Sequence, residues 1–92
     1  MQRAVERHEP RRRTQAERSI VRERLAKLTP REREIMELVV AGRTSKEIAR
    51  ILGSSHRTVE IHRGRLMEKM TAASLAELVR MRLLLQDDVA PR

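Results

Sequence analysis

Residues 44–59 read Thr-Ser-Lys-Glu-Ile-Ala-Arg-Ile-Leu-Gly-Ser-Ser-His-Arg-Thr-Val, and this stretch decides the fold. Thr44 with Glu47 three positions on is the sequence form of a capping box, which satisfies two backbone donors at a helix start. Ile48, Ala49 and Leu52 share one helical face, and Gly53 supplies the left-handed backbone that ends a helix. Ser55 then caps a second helix. A helix of about eight residues is not stable alone in water, so the first must pack on the second. A short helix, a tight turn at Leu52-Gly53-Ser54-Ser55 and a second helix held at a steep angle make a helix-turn-helix.

The second helix is expected over residues 56–70. Val59, Leu66 and Met70 are spaced to face inward, with His62 on their border. Glu60, Ile61, Gly64 and Arg65 point away, and His56, Arg57 and Thr58 fill the first turn. Upstream, Thr29-Pro30-Arg31-Glu32 joins a cap, a proline suited to the first helical position and a capping-box glutamate, opening a helix over 30–41 that Gly42 closes. Its stripe is Ile35, Leu38 and Val39, with Met36. Downstream, Ser74 and Glu77 open a last helix over 75–85, with Leu75, Leu78, Val79 and Leu83 expected to face the core. Met81, Leu84 and Leu85 then lie outside that stripe. With Val79 they are expected to form a pairing surface, covered by a second subunit, by the Val21-Leu25-Leu28 segment, or by both.

The N-terminal part is different in kind. Residues 1–28 hold nine Arg and Lys against four Glu. Pro10 and Arg11-Arg12-Arg13 suggest a flexible basic arm, and from Thr14 to Leu28 the spacing of Val21, Leu25 and Leu28 is helical. That segment reads either as a solvated helix or as the start of a short coiled coil. The expected organisation is all-α: a basic arm and linker helix at 1–28, a four-helix helix-turn-helix domain at 29–86 and a tail at 87–92.

Composition narrows the function. The chain has 92 residues, 39% hydrophobic and 37% charged, with a formal charge of +8 from 21 Lys and Arg against 13 Asp and Glu. So basic a chain points to a polyanionic partner. No Trp, Tyr or Phe is present, which disfavours interfacial membrane binding and base-stacking modules for single strands or RNA. Double-stranded DNA remains. The major groove admits one helix, and 56–70 presents an apolar stripe inward with cations around it. The first-turn amides and the Thr58 hydroxyl can take a phosphate. Arg57, Arg63, Arg65 and Lys69 can reach phosphates or base edges.

Catalytic and metal chemistry find no footing. There is no Cys, and His56 and His62 are six apart, on different sides of a helix. Ser54-Ser55-His56 lacks a third member, and Ser55 is explained as a cap. The expectation is no enzyme, no metal and no cofactor.

The joint spacing of Leu-Thr-Pro-Arg-Glu-Arg-Glu (28–34), Lys-Glu-Ile-Ala (46–49), Arg-Thr-Val-Glu-Ile-His-Arg (57–63), Met-Glu-Lys-Met (67–70) and Ser-Leu-Ala-Glu-Leu-Val-Arg-Met (74–81) resembles the LuxR/FixJ-type DNA-binding domain. The resemblance implies that 56–70 is a recognition helix. Thr58 and His62 would then position the backbone, and Glu60, Ile61 and Gly64 would lie at base edges. It also implies that 75–85 dimerises, that promoters are bound as dimers, and that a receiver or sensor domain or RNA polymerase is a further partner. The lack of Cys, the charged start from Met1 to Arg13 and the lack of a membrane-length apolar run separately point to the cytoplasm. Two positions depart from the family pattern: Ser54 where an apolar residue is usual, and Glu60 where Lys is common. They keep open a second reading, a helical protein-interaction module pairing through 75–85 without DNA. Only two Asp are present, Asp87 and Asp88, so the chain itself is not expected to be phosphorylated as a receiver is.

Overall fold

The computed structural model describes the backbone of residues 2–89 and the side chains of residues 14–85. Among the described residues it is all-helical: α1 (Gln2–Leu25), α2 (Pro30–Val40), α3 (Ser45–Leu52), α4 (His56–Met70) and α5 (Leu75–Val89). No described helix is long and apolar enough to cross a membrane.

The caps form as their chemistry dictates. Thr29 and Thr44 each accept from the amide three residues on, at 3.1 Å, while Glu32 and Glu47 reach back to the cap amides at 2.9 Å. Gly53 ends α3 in the left-handed region at φ 67°, and Ser55 caps α4 by accepting from the Thr58 amide at 3.0 Å. At the start of α5, Ser74 accepts from the Glu77 amide at 3.2 Å, but the Glu77 carboxylate takes the Ala73 amide rather than that of Ser74.

The core joins all five helices. Ile35, Met36 and Val39 of α2, Ile48 and Ala49 of α3, and Val59, Leu66 and Met70 of α4 are buried together with Leu78, Met81 and Leu85 of α5. α4 is central, lying against α2 and α3, with the end of α1 over its C-terminus.

Three expectations need correction. First, the inward face of α5 is Leu78, Met81 and Leu85; Leu75 and Leu83 are 44% and 52% exposed. α1 is the cause, because it packs along α5 with Val21 and Leu28 in the same core, so Met81 and Leu85 are covered within the chain. Arg18 Nε also donates to the Leu84 carbonyl at 3.1 Å, and Glu17 faces Arg80 at 3.8 Å. The Val21-Leu25-Leu28 stripe is thus a packed part of the domain, neither a solvated helix nor half of a coiled coil. Secondly, the backbone is helical from Gln2, where a flexible arm was expected; the run of Arg, Glu, Gln and Ala favours helix, and its packed end anchors it. The side chains of that arm, Arg11 to Arg13 included, lie outside the described residues. Thirdly, α5 continues to Val89, past the expected helix end at 85, because no Gly or Pro interrupts it before Pro91. The rest of the expected tail, 90–92, lies outside the described residues.

Candidate nucleic-acid interface

The α3–turn–α4 unit projects one face of α4 outward. With Val59, Leu66 and Met70 buried, a 100° step per residue puts Arg57, Ile61, Gly64 and Glu68 on the opposite side. Thr58, His62 and Arg65 flank them on one side and His56 and Glu60 on the other. His56, Arg57, Thr58, Glu60, Ile61, Gly64 and Arg65 are exposed, and Ile61 is 46% exposed although it is a large aliphatic residue. A lone exposed Ile amid cations is poorly placed for solvent and well placed for a groove with apolar thymine methyl groups. A Cβ added at Gly64 would meet nothing within 4 Å, so the glycine opens a shallow place on this face rather than relieving an internal clash.

The first turn is prepared for an anion. Ser55 accepts from the Thr58 amide and its hydroxyl donates to Thr58 Oγ1 at 2.8 Å. The Thr58 hydroxyl, already accepting, keeps its own proton for an outside acceptor. The first-turn amides point the same way, at the positive end of the helix dipole. His62 is half-buried, and its Nδ1 is enclosed without a hydrogen-bond partner. That leaves Nε2 as the ring nitrogen open to a partner outside the chain.

Two of the expected contact residues have partners within the chain. Arg63 donates to Ser45 Oγ at 3.1 Å, tying α4 to the start of α3. Lys69 Nζ sits 2.8 Å from Glu32 Oε1, tying the end of α4 to the start of α2. Glu32 is only 2% exposed. Burial alone would raise its pKa, but the Lys69 ammonium and the Thr29 amide and hydroxyl outweigh that and hold it below the ordinary carboxylate value. Arg63 and Lys69 each find a polar partner on a neighbouring helix that local spacing does not reveal.

The C-terminus of α4 is fastened as well. Thr71 ends it with a left-handed φ of 56°, and Arg24 of α1 donates to the Met70 carbonyl at 3.1 Å. A cation at a helix C-terminus satisfies an orphan carbonyl and the negative end of the dipole together. The register of α1 is thereby linked to the helix that carries the outward face.

Arg43, Lys46 and Arg50 are not among the contact residues expected from the sequence. All three are exposed, on α3 and the loop before it, and none makes an ion pair among the described residues. In a helix-turn-helix the first helix crosses the phosphate backbone, and that rule was the available signal.

Comparison with known proteins follows the same outline. A family model described as bacterial regulatory proteins, luxR family, matches residues 26–82. The chain is 51% identical over 78 residues to the transcriptional regulatory protein FixJ of Azorhizobium caulinodans, covering 80% of this chain and 37% of that protein. It is 57% identical over 53 residues to the tetrathionate response regulatory protein TtrR of Salmonella typhimurium, covering 58% of this chain and 26% of that protein. Full-length FixJ from B. japonicum, a crystal structure, superposes with a TM-score of 0.76 at 40% identity, over 91% of this chain and 41% of that one. The chain thus spans well under half the length of these relatives.

Proposed function

The chain belongs to the luxR family of bacterial regulatory proteins, and on that premise we propose that it binds duplex DNA sequence-specifically in transcriptional regulation, with the outward face of α4 in the major groove. The observation that carries this is the exposed set Arg57, Thr58, Ile61, Gly64 and Arg65 on one side of a helix whose other side is locked into the core. Arg57, Arg65, Thr58 and His62 Nε2 supply donors for phosphates, with Arg43, Lys46 and Arg50 on the flank. Ile61 and Glu60 face base edges, and Gly64 lets the groove approach closely. The family is one of regulators rather than enzymes.

Two copies pair on DNA in this reading, through α5. Met81 and Leu85 are covered by α1, so the surface that supports pairing is Leu75, Val79 and Leu83, at i, i+4, i+8, with half-buried Leu84 beside it. Receiver or sensor domains and RNA polymerase are the further partners that this role calls for, in the cytoplasm. The interaction-module alternative is less well supported, since it leaves exposed Ile61 and the cations around it without a purpose.

Electrophoretic mobility on random duplex at low salt tests the reading. Retarded DNA that is released as salt rises to physiological strength is the expected result. Intact protein that leaves the duplex unshifted at low salt would refute it and favour the interaction module. Leu83→Asp should lower cooperativity on a two-half-site duplex while helical content stays constant.

A further inference from the structure

Glu60 is an acid on a face meant for a polyanion. It stands in the second turn of α4, beside Ile61 and one turn after His56. The other acid of this helix, Glu68, lies eight residues on, about 12 Å further along the axis. The N-terminal residues of a recognition helix are those that reach base edges, so Glu60 is within that range and Glu68 is beyond it. Among the described residues the Glu60 carboxylate makes no hydrogen bond. Its one polar neighbour is His56, whose Nε2 is 3.7 Å from Oε2, with both side chains about half exposed (54% and 51%). At that distance the imidazole biases the position of the carboxylate but leaves its lone pairs unoccupied.

A carboxylate has only acceptors to offer. It is repelled by phosphate oxygens, and it is satisfied in the major groove only by a base that donates. Guanine presents two acceptors there, and thymine an acceptor and a methyl group. Adenine offers its N6 amino group beside the N7 acceptor, which opposes the carboxylate. Cytosine offers its N4 amino group with an acceptor on one side only, the O6 of its paired guanine, and a C–H on the other, whereas adenine N6 is flanked by acceptors on both sides. Resting on the groove-binding reading of α4 above, we propose that Glu60, steadied by His56, is a specificity residue that selects cytosine at one position of each half-site.

Selection of bound duplexes from a random library tests this with the full chain and three variants. The wild type should enrich cytosine at one position of each half-site, about tenfold over the other bases. Glu60→Ala should remove that enrichment and leave the rest of the selected site unchanged. Glu60→Gln should move the preference to adenine, since an amide matches the adjacent donor and acceptor of that base. His56→Ala should weaken the cytosine preference without substituting another base, a readout that a merely structural role for His56 would not move. A wild-type site with no such cytosine, or one that persists in Glu60→Ala, overturns the assignment while leaving DNA binding intact. An unchanged preference in His56→Ala removes His56 from it. Failure to recover any duplex with the wild type would instead refute the groove-binding reading itself.

Discussion

The two halves of α4 carry similar side chains to opposite ends. In the first half, Arg57 and Ile61 are exposed, and Glu60 nears only His56 of its own helix; in the second, Lys69 is bound to buried Glu32 and the Met70 carbonyl to Arg24. Arg63, between them, already turns back to Ser45. The comparison teaches that charge on a helix does not by itself mark a binding face. What distinguishes the halves is whether a neighbouring helix presents a partner. One half is held rigid so that the other can be presented in a fixed orientation, which is how preorganisation limits the ordering cost of binding.

Several substitutions separate the two halves, and the largest effect is expected in the shared core. Leu66 is fully buried, and Leu66→Ala should cost roughly 3–4 kcal/mol in urea unfolding through the cavity it leaves. Both halves would suffer together, with DNA affinity falling only as folded protein is lost.

Lys69→Met comes next. It strands the Glu32 carboxylate in the interior with only the Thr29 contacts, at a cost of about 2–3 kcal/mol, less than for a fully buried pair because Lys69 is itself one-third exposed. The pH dependence follows from the same site. The folded protein holds Glu32 below its unfolded pKa, so its contribution to stability is complete above the ordinary glutamate range. It is lost as pH falls through the folded value. Urea midpoints of the wild type should therefore drop on acidification below about pH 4. The variant should lose part of that dependence; an identical pH profile would show that the pair is not what sets it.

Ile61→Ala reverses the pattern. The side chain is exposed, so unfolding should change by no more than about 0.5 kcal/mol. Base preference at one contacted position should change by roughly 1 kcal/mol in competition binding. Thr71→Gly is the smallest. Relief of the left-handed φ of 56° should stabilise the fold by about 1 kcal/mol or less, without altering preference. A loss of stability would mean that the Thr71 side chain has a role the backbone does not reveal.

The fold was legible where chemistry is local. Thr29, Thr44, Ser55 and Ser74 mark four helix starts because a cap bonds within its own turn, and Gly53 marks a stop because its conformation excludes most other residues. The phase of α5 was not legible, because apolar residues lie at Leu75, Leu78, Val79, Met81, Leu83, Leu84 and Leu85, and several stripes can be drawn through them. Only the packing of α1 selects among those stripes. Of the expected α4 contacts, the outward residues follow from helical periodicity once Val59, Leu66 and Met70 are placed. The inward turn of Lys69 depends on Glu32, 37 residues away, and no local pattern encodes that meeting. Thr71 likewise occupies a left-handed stop that a search for Gly or Asn passes over.

If α4 meets DNA with its outward face from Arg57 to Arg65, and the rest of the protein with its last turn at Lys69 and Met70, the salt dependence of duplex affinity separates the two. Each phosphate contact removed should lower the slope of log affinity against log salt by about 1. The account predicts that Arg57→Ala with Arg65→Ala lowers the slope by about 2 while unfolding is unchanged. Lys69→Met should leave the slope as in the wild type under conditions where circular dichroism shows it folded. A slope that falls with Lys69→Met and holds with the two Arg substitutions would contradict the account.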